Sequence, residues 1–296
     1  MRAQEPAAHN QTRAPKQARR SVEGKTGLFS SAEVLLVKKD MGAIWAQKSQ
    51  RSLLMALPLI LAAVIPAVYF VAISLLPVAM GAKLPQALLA ILPKYVNGLD
   101  YRQSWLVAFT DLLCPLLFLC VPILTAAASA SYAFVTERES GTLESLLLTS
   151  VDAKAVFNAK VTSCTVLSAL ISGVAFVIFS ITAVVADVFA GVPLFFSLDW
   201  LVMAFLMAPA LSLFSVVFVG LIVTRVHSTG ESLQTMGYLI LPVAAIYLAQ
   251  FTGIFRVNLL ALLIISLILA ILDVVLFNAA ARGFAPEKLL EDEPNE

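Results

Sequence analysis

Apolar residues run along this chain in blocks too long for a soluble core, and the charged residues gather between them. Uncharged windows cover 53–82, 112–136, 161–186, 200–224 and 232–255, and a sixth, 257–281, is interrupted only by Asp273. A helix rises about 1.5 Å per residue, so roughly 20 residues cross the ~30 Å hydrocarbon layer of a bilayer. Each window therefore holds one crossing and not two. The pattern predicts six transmembrane helices, over approximately 53–76, 105–135, 161–186, 200–224, 234–252 and 258–280. Pro58, Pro66 and Pro77 punctuate the first window, so the first span is ended near Leu76 and the remainder assigned to an outer loop. Prolines are tolerated in such helices where neighbours satisfy the freed carbonyls.

The polar stretches carry patterns of their own. Residues 1–27 are polar, basic and poor in aromatics, which predicts a disordered cytoplasmic tail. From Ser30 the pattern changes: Ser30 followed by Glu33 fits a capping box, and Val34, Val37, Met41, Ile44 and Trp45 recur at three- and four-residue spacing with Lys38, Lys39 and Asp40 off the stripe. An amphipathic helix over 28–50, lying along the inner membrane surface, is expected. The alternative is a plain extension of the first span, with Gly42 as a point of interruption. On the opposite side, LPQALLAILPKYV (84–96) is a proline-bounded apolar piece too short to cross, which predicts an interfacial helix. Residues 282–296 form an acidic C-terminal tail, expected to be cytoplasmic.

Composition agrees with the pattern. With 60% hydrophobic and 13% charged residues, the chain is excluded from the soluble globular class, and the expected fold class is an all-α integral membrane protein. The net charge of +1 hides an asymmetry: 16 of the 20 Lys and Arg residues lie before residue 53 or in alternate loops, and 4 (Lys83, Lys94, Arg102, Arg256) lie on the other side. The positive-inside rule places both termini in the cytoplasm. The first apolar run is too long for the core of a secretory signal, so none is expected. Cys114, Cys120 and Cys164 all fall inside apolar runs and have neither the spacing of a disulfide framework nor that of a metal site.

Candidate chemistry is sparse. The two histidines, His9 and His227, cannot assemble a zinc-protease motif or a histidine-based triad within the membrane. Gly24-Lys25-Thr26 imitates the end of a phosphate-binding loop but has Arg19 where a glycine is required and no preceding strand. No catalytic residue, metal site or nucleic-acid partner is expected. Charges inside spans mark ion paths or snorkel to an interface, and both readings are open for Asp111 and Asp187. Asp273 is the deepest; with Arg225 as a candidate partner, it either forms an intramembrane pair or lines a cavity.

One segment between spans stands out: TERESGTLESLLLTSVDAKAVFNAK, residues 136–160. Glu137, Arg138 and Glu139 stand where the second span leaves the membrane, Gly141 and Thr142 offer a break and an N-cap, and Leu143, Leu146 and Leu147 then form an apolar face beside Glu144. A short cytoplasmic helix over 137–150 is expected. By its residues alone it either seals the bundle or receives a partner, and its charged flank exceeds what a seal needs.

These residues resemble the ABC-2 type permeases, membrane subunits of ATP-driven exporters, whose pattern is close to E-R-E-x-G-T-L-E-x-L-L-x-T-P with a lysine opening the third span. Glu137, Arg138, Glu139, Gly141, Thr142, Leu143, Glu144, Leu146, Leu147, Thr149 and Lys160 occupy matching positions. Ser150 stands where the family usually has Pro, and Ala159 where Gly commonly precedes the lysine. The pair Lys39-Asp40, in the same expected helix as Trp45, is similar to a basic-acidic pair in the family's connecting helix.

The resemblance implies that 137–150 is a coupling helix docking in a cleft of a separate ATPase subunit, two of which serve each complex and carry ATP and Mg. This chain would then bind no cofactor itself and would be non-catalytic. Leu146 and Leu147 would act as anchors, with Glu137, Arg138, Glu139 and Glu144 setting register. A second permease copy or a homologue, surrounded by membrane lipid, would complete the path in a bacterial or archaeal plasma membrane. Short outer loops and apolar spans point to a hydrophobic or amphipathic cargo: a lipid, drug or peptide. Two other readings stay open: an ion-coupled secondary transporter, and an intramembrane enzyme or non-transporting scaffold.

Overall fold

A computed structural model describes residues 31–76, 83–136, 153–222 and 229–283. Among the described residues the fold is carried by helices and has no strand: α1 (Ser31–Ala46), α2 (Lys48–Leu75), α3 (Gln86–Ile91), α4 (Tyr101–Val135), α5 (Ala153–Ala190), α6 (Leu198–Ile222), α7 (Thr229–Ala249) and α8 (Leu259–Gly283). Five of them, α2, α4, α5, α6 and α8, are long and apolar enough to cross a bilayer, and the chain is read as an integral membrane protein. The sixth expected span falls on α7, whose apolar part, Gly237–Thr252, is shorter.

At the centre stands α4, on which α2, α5, α6 and α7 all pack. In its most apolar stretch 72% of residues are buried, against 17% for α8, so α4 meets protein on nearly every side while α8 leaves most of its surface outward. The cause is local. Ala126, Ala127, Ala128, Ser129 and Ala130 are small and fully sequestered, which lets neighbouring backbones approach closely. Three hydroxyls cross the resulting interface: Thr125 of α4 lies 2.7 Å from Ser168 of α5, which lies 3.1 Å from Ser212 of α6. Interhelical bonds of this kind contribute about 0.6 kcal/mol each on average, so they set register more than they hold the bundle together.

Three of the helix prolines leave a mark, while Pro58, Pro122 and Pro242 lie within α-helices. Three long helices widen into a π turn, at Ile60–Val64, Phe109–Leu113 and Met203–Met207, and each widened turn is followed two residues later by a proline: Pro66, Pro115 and Pro209. Proline offers no N–H and crowds the carbonyl one turn back; a wider turn absorbs both defects without breaking the helix.

The two ends of the bundle are closed by different devices. At the end opposite α1, called the far end, Leu84, Leu88, Leu92 and Val96 recur every four residues and insert into the main core, each 5% exposed or less. The segment read as an interfacial helix is therefore α3 plus a 3₁₀ turn (Lys94–Gly98), packed as a lid. The turn after α7 closes onto it. Gly253 has φ +75°, and a Cβ there would lie 2.5 Å from the Ala87 carbonyl oxygen.

At the other end, α1 packs against α5. It runs unbroken through Gly42 and stops at Ala46, where Gln47 is extended (φ −72°, ψ 112°), and α2 begins at Lys48, before the expected start at 53. The amphipathic stripe needs correction. Ile44 is buried as expected, but Asp40, placed off the stripe, is 8% exposed, and Trp45, placed on it, is 39% exposed. The physical reason for Asp40 is a cation waiting in the neighbouring helix.

Candidate functional site

That cation is Lys160, the lysine near the start of α5. It is 1% exposed, and its Nζ lies 4.0 Å from Asp40 Oδ2, donates to the Ala133 carbonyl at 3.1 Å and sits 5.9 Å above the Phe134 ring. Ala133 and Phe134 belong to a second kind of widened turn, Ser131–Thr136, which ends α4. An ammonium removed from water needs nearly all its donors and its charge answered, and here a carboxylate, a carbonyl and an aromatic face contribute. The three groups come from two elements, α1 and α4, and the lysine from a third.

An apolar wall supports the junction. Phe157, one turn before Lys160, stacks obliquely on Phe134 at 5.8 Å and on Phe277 of α8 at 5.9 Å. Gly220 of α6 makes room for it, since a Cβ there would lie 3.1 Å from the Phe157 ring. Five helices thus meet within one cluster at the end where α4 stops and α5 starts.

The segment joining those two helices carries Glu137, Arg138, Glu139, Gly141, Thr142, Leu143, Glu144, Leu146 and Leu147, and it lies outside the described residues, as does Arg225. Lys39 is exposed, as expected of a residue off the buried face. Asp273 is 2% exposed, and its Oδ1 has no hydrogen-bond partner among the described residues.

The far end holds a second ion pair, which sequence reasoning did not join. Asp111, inside the π turn of α4, accepts from Arg256 Nη2 at 3.1 Å; the side chains are 15% and 30% exposed. Both had been placed on the same expected face of the membrane, and that shared placement was the available signal. Asp187 departs from the snorkelling expectation. It is 2% exposed, and its Oδ2 accepts the Phe195 N–H at 2.9 Å, because the chain turns at Gly191 (φ +68°) and folds back over the carboxylate. Tyr95, in the lid, feels both acids: partial burial first, and then Asp111 and Asp187, push its phenol above the ordinary range against the opposing pull of Arg256.

Among the described residues no group of three or more His, Cys, Asp or Glu side chains gathers to hold a metal. A cavity of about 220 Å³ between α4, α6, α7 and α8, bordered by Met207, Leu211, Pro242 and Leu262, is almost wholly apolar, and its two hydroxyls are turned to other partners, Ser215 to the Leu211 carbonyl and Tyr247 to Met203 Sδ. What the described polar groups do is couple helices: Lys160 with Asp40 joins α5 to α1, and Asp111 with Arg256 joins α4 to the turn before α8. No protein-family model matches this sequence, and no curated protein or solved structure matches it.

Proposed function

We propose that this chain is the membrane subunit of an ABC-2 type exporter, working as a homo- or heterodimer with two separate ATPase subunits that carry ATP and Mg. The motif at 137–160 is the basis, and the Lys160–Asp40 pair is the observation that supports it best. Lys160 is the motif's own lysine and Asp40 the acid of the connecting helix, and they meet 4.0 Å apart beside the last turn of α4. In this reading residues 137–150, which join α4 to α5 in the chain, are the coupling helix. Force applied to it enters both helices at their ends and passes to α1 through the buried pair. In this reading α7 supplies the fifth of six spans, both termini are cytoplasmic, and the cargo is hydrophobic or amphipathic.

The test is a pair of substitutions in the motif. Leu146→Asp puts an unpaired carboxylate at the docking surface, which costs several kcal/mol by order of magnitude and abolishes co-purification with the ATPase. Glu144→Lys weakens transport while the leucines still hold the partner. The permease's own melting temperature stays unchanged in both. Retention of the ATPase and of full transport by Leu146→Asp defeats the proposal.

Asp273 favours one second reading, an ion-coupled transporter, because a buried carboxylate oxygen with no hydrogen-bond partner among the described residues is suited to hold a proton or cation. Transport that persists without any ATPase and is lost in Asp273→Asn decides for it.

A further inference from the structure

A cavity of about 710 Å³ lies at the far end between the last turns of α2, the first turns of α4 and the last turns of α5. Its size is that of a small-molecule site. Its walls are apolar: Ala67, Phe70 and Val71 from α2, Leu106 from α4, Ala186 and Phe189 from α5. The lining hydroxyls below the mouth are already satisfied by their own helices, Ser74 donating to the Phe70 carbonyl at 2.7 Å and Thr182 to the Ile178 carbonyl at 3.0 Å. Nothing in the walls invites a polar solute. From Ala67 to Leu75 the cavity runs along α2 for about 12 Å at the α-helical rise.

Its mouth is different. Asp100 and Gln103 form the capping box that starts α4, with Gln103 Oε1 accepting the Asp100 N–H at 3.1 Å, and Gln103 Nε2 donates to the Ala190 carbonyl at 2.8 Å. Arg102 donates through Nη2 to the Leu76 carbonyl and through Nε to the Tyr101 hydroxyl at 3.4 Å. The rim is thereby tied to the ends of both α2 and α5. A guanidinium has five N–H donors, and among the described residues these two bonds use two of them.

The side of the cavity opens where α2 and α5 face outward. Val71 and Leu75 on one lip, and Val185 and Phe189 on the other, are 58%, 77%, 48% and 90% exposed. The same outward faces continue along the spans through Val64 and Val68 and through Val177 and Ile181. In an integral membrane protein these faces meet acyl chains, so the cavity is a side pocket of the hydrocarbon layer whose rim, at helix-end depth, carries the Arg102 guanidinium beside the Asp100 cap. Acyl chain below and phosphate above match that division of apolar wall and arginine rim.

We infer that this cavity binds one anionic phospholipid from the surrounding bilayer, an acyl chain between α2 and α5 and the headgroup phosphate on Arg102. The site depends on the membrane placement of the chain and not on the ATPase reading, so either can fail without the other.

The experiment is native mass spectrometry of the full chain extracted in mild detergent from vesicles of phosphatidylglycerol and phosphatidylcholine, with thermal stability and oligomeric state recorded for each variant. The wild type retains one phosphatidylglycerol per chain. Ala186→Phe and Ala67→Phe, which fill the cavity from opposite walls, lower that retention about tenfold. Arg102→Gln keeps a lipid but loses the preference for phosphatidylglycerol over phosphatidylcholine. Val177→Phe, on the outward face away from the cavity, changes nothing. A wild type that retains no lipid, filling variants that retain as much as the wild type, or filling variants that change the number of chains per particle instead of the lipid count, overturn the inference.

Discussion

Each end of the bundle is tied by an ion pair, and the two pairs are built for different work. At the α1 end, the side chains of Lys160 and Asp40 are 2% and 10% exposed and 4.0 Å apart, and the lysine also holds a backbone carbonyl and an aromatic face. At the far end, Asp111 and Arg256 are closer, at 3.1 Å, yet 15% and 30% exposed. Distance alone would rank the far pair stronger. Burial reverses the ranking, because water screens the far pair and has been excluded from the near one. The near pair is also a junction of α1, α4 and α5, whereas the far pair closes a turn onto a lid that α3 already seals with Leu84, Leu88, Leu92 and Val96.

The largest effect is expected at the near pair. Lys160→Met removes the buried cation that faces Asp40, and breaking a buried pair from one side costs about 3–5 kcal/mol. The apparent melting temperature in detergent, compared at one scan rate, reports it. Asp40→Leu combined with Lys160→Met recovers most of the loss, since two apolar groups need no pairing. If the double variant is as unstable as the single, the pair is not what holds this junction.

Next comes the far end, where backbone fit outweighs charge. Gly253→Ala forces a side chain onto a residue at φ +75° and drives its Cβ to 2.5 Å from the Ala87 oxygen. The strained conformation alone costs about 1–2 kcal/mol, and relieving the contact pushes α3 off the turn. Destabilisation of about 2 kcal/mol is expected, with faster amide exchange at 86–98. Unchanged exchange in that segment would show that the lid does not rest on the turn.

The contrast between the ends also marks what the sequence made legible. Span positions were readable because hydrocarbon thickness dictates them, and five long apolar helices stand where charge-free windows predicted them. Lys160 was placed at the start of the third span, but nothing local to it marks it as buried. Asp40 was named but placed outward, because the stripe on α1 was drawn from side-chain polarity, and a carboxylate turns inward once a buried cation lies opposite. That partner sits 120 positions away in the chain, and no local periodicity encodes it. Asp111 and Arg256 were hidden for the same reason. The π turns were hidden too: prolines announce a defect in a helix, but whether it kinks, breaks or widens depends on neighbours.

The smallest effect is expected at the far pair, and its dependence on salt separates it from the near one. Arg256→Gln keeps a polar side chain in the turn and leaves Asp111 partly in contact with water, so the carboxylate is not stranded. A partly exposed pair of this kind contributes about 1 kcal/mol or less. That contribution is Coulombic at a wet site, and screening shortens from about 10 Å at 0.1 M salt to about 3 Å at 1 M. The stability gap between wild type and Arg256→Gln should therefore shrink as salt rises, while the gap between wild type and Lys160→Met stays nearly constant, because ions do not reach a side chain 2% exposed. Apparent melting temperatures of the three proteins across that salt series make the measurement. Parallel curves for Arg256→Gln and Lys160→Met would mean that the two ends are alike after all, and that burial does not set the difference between them.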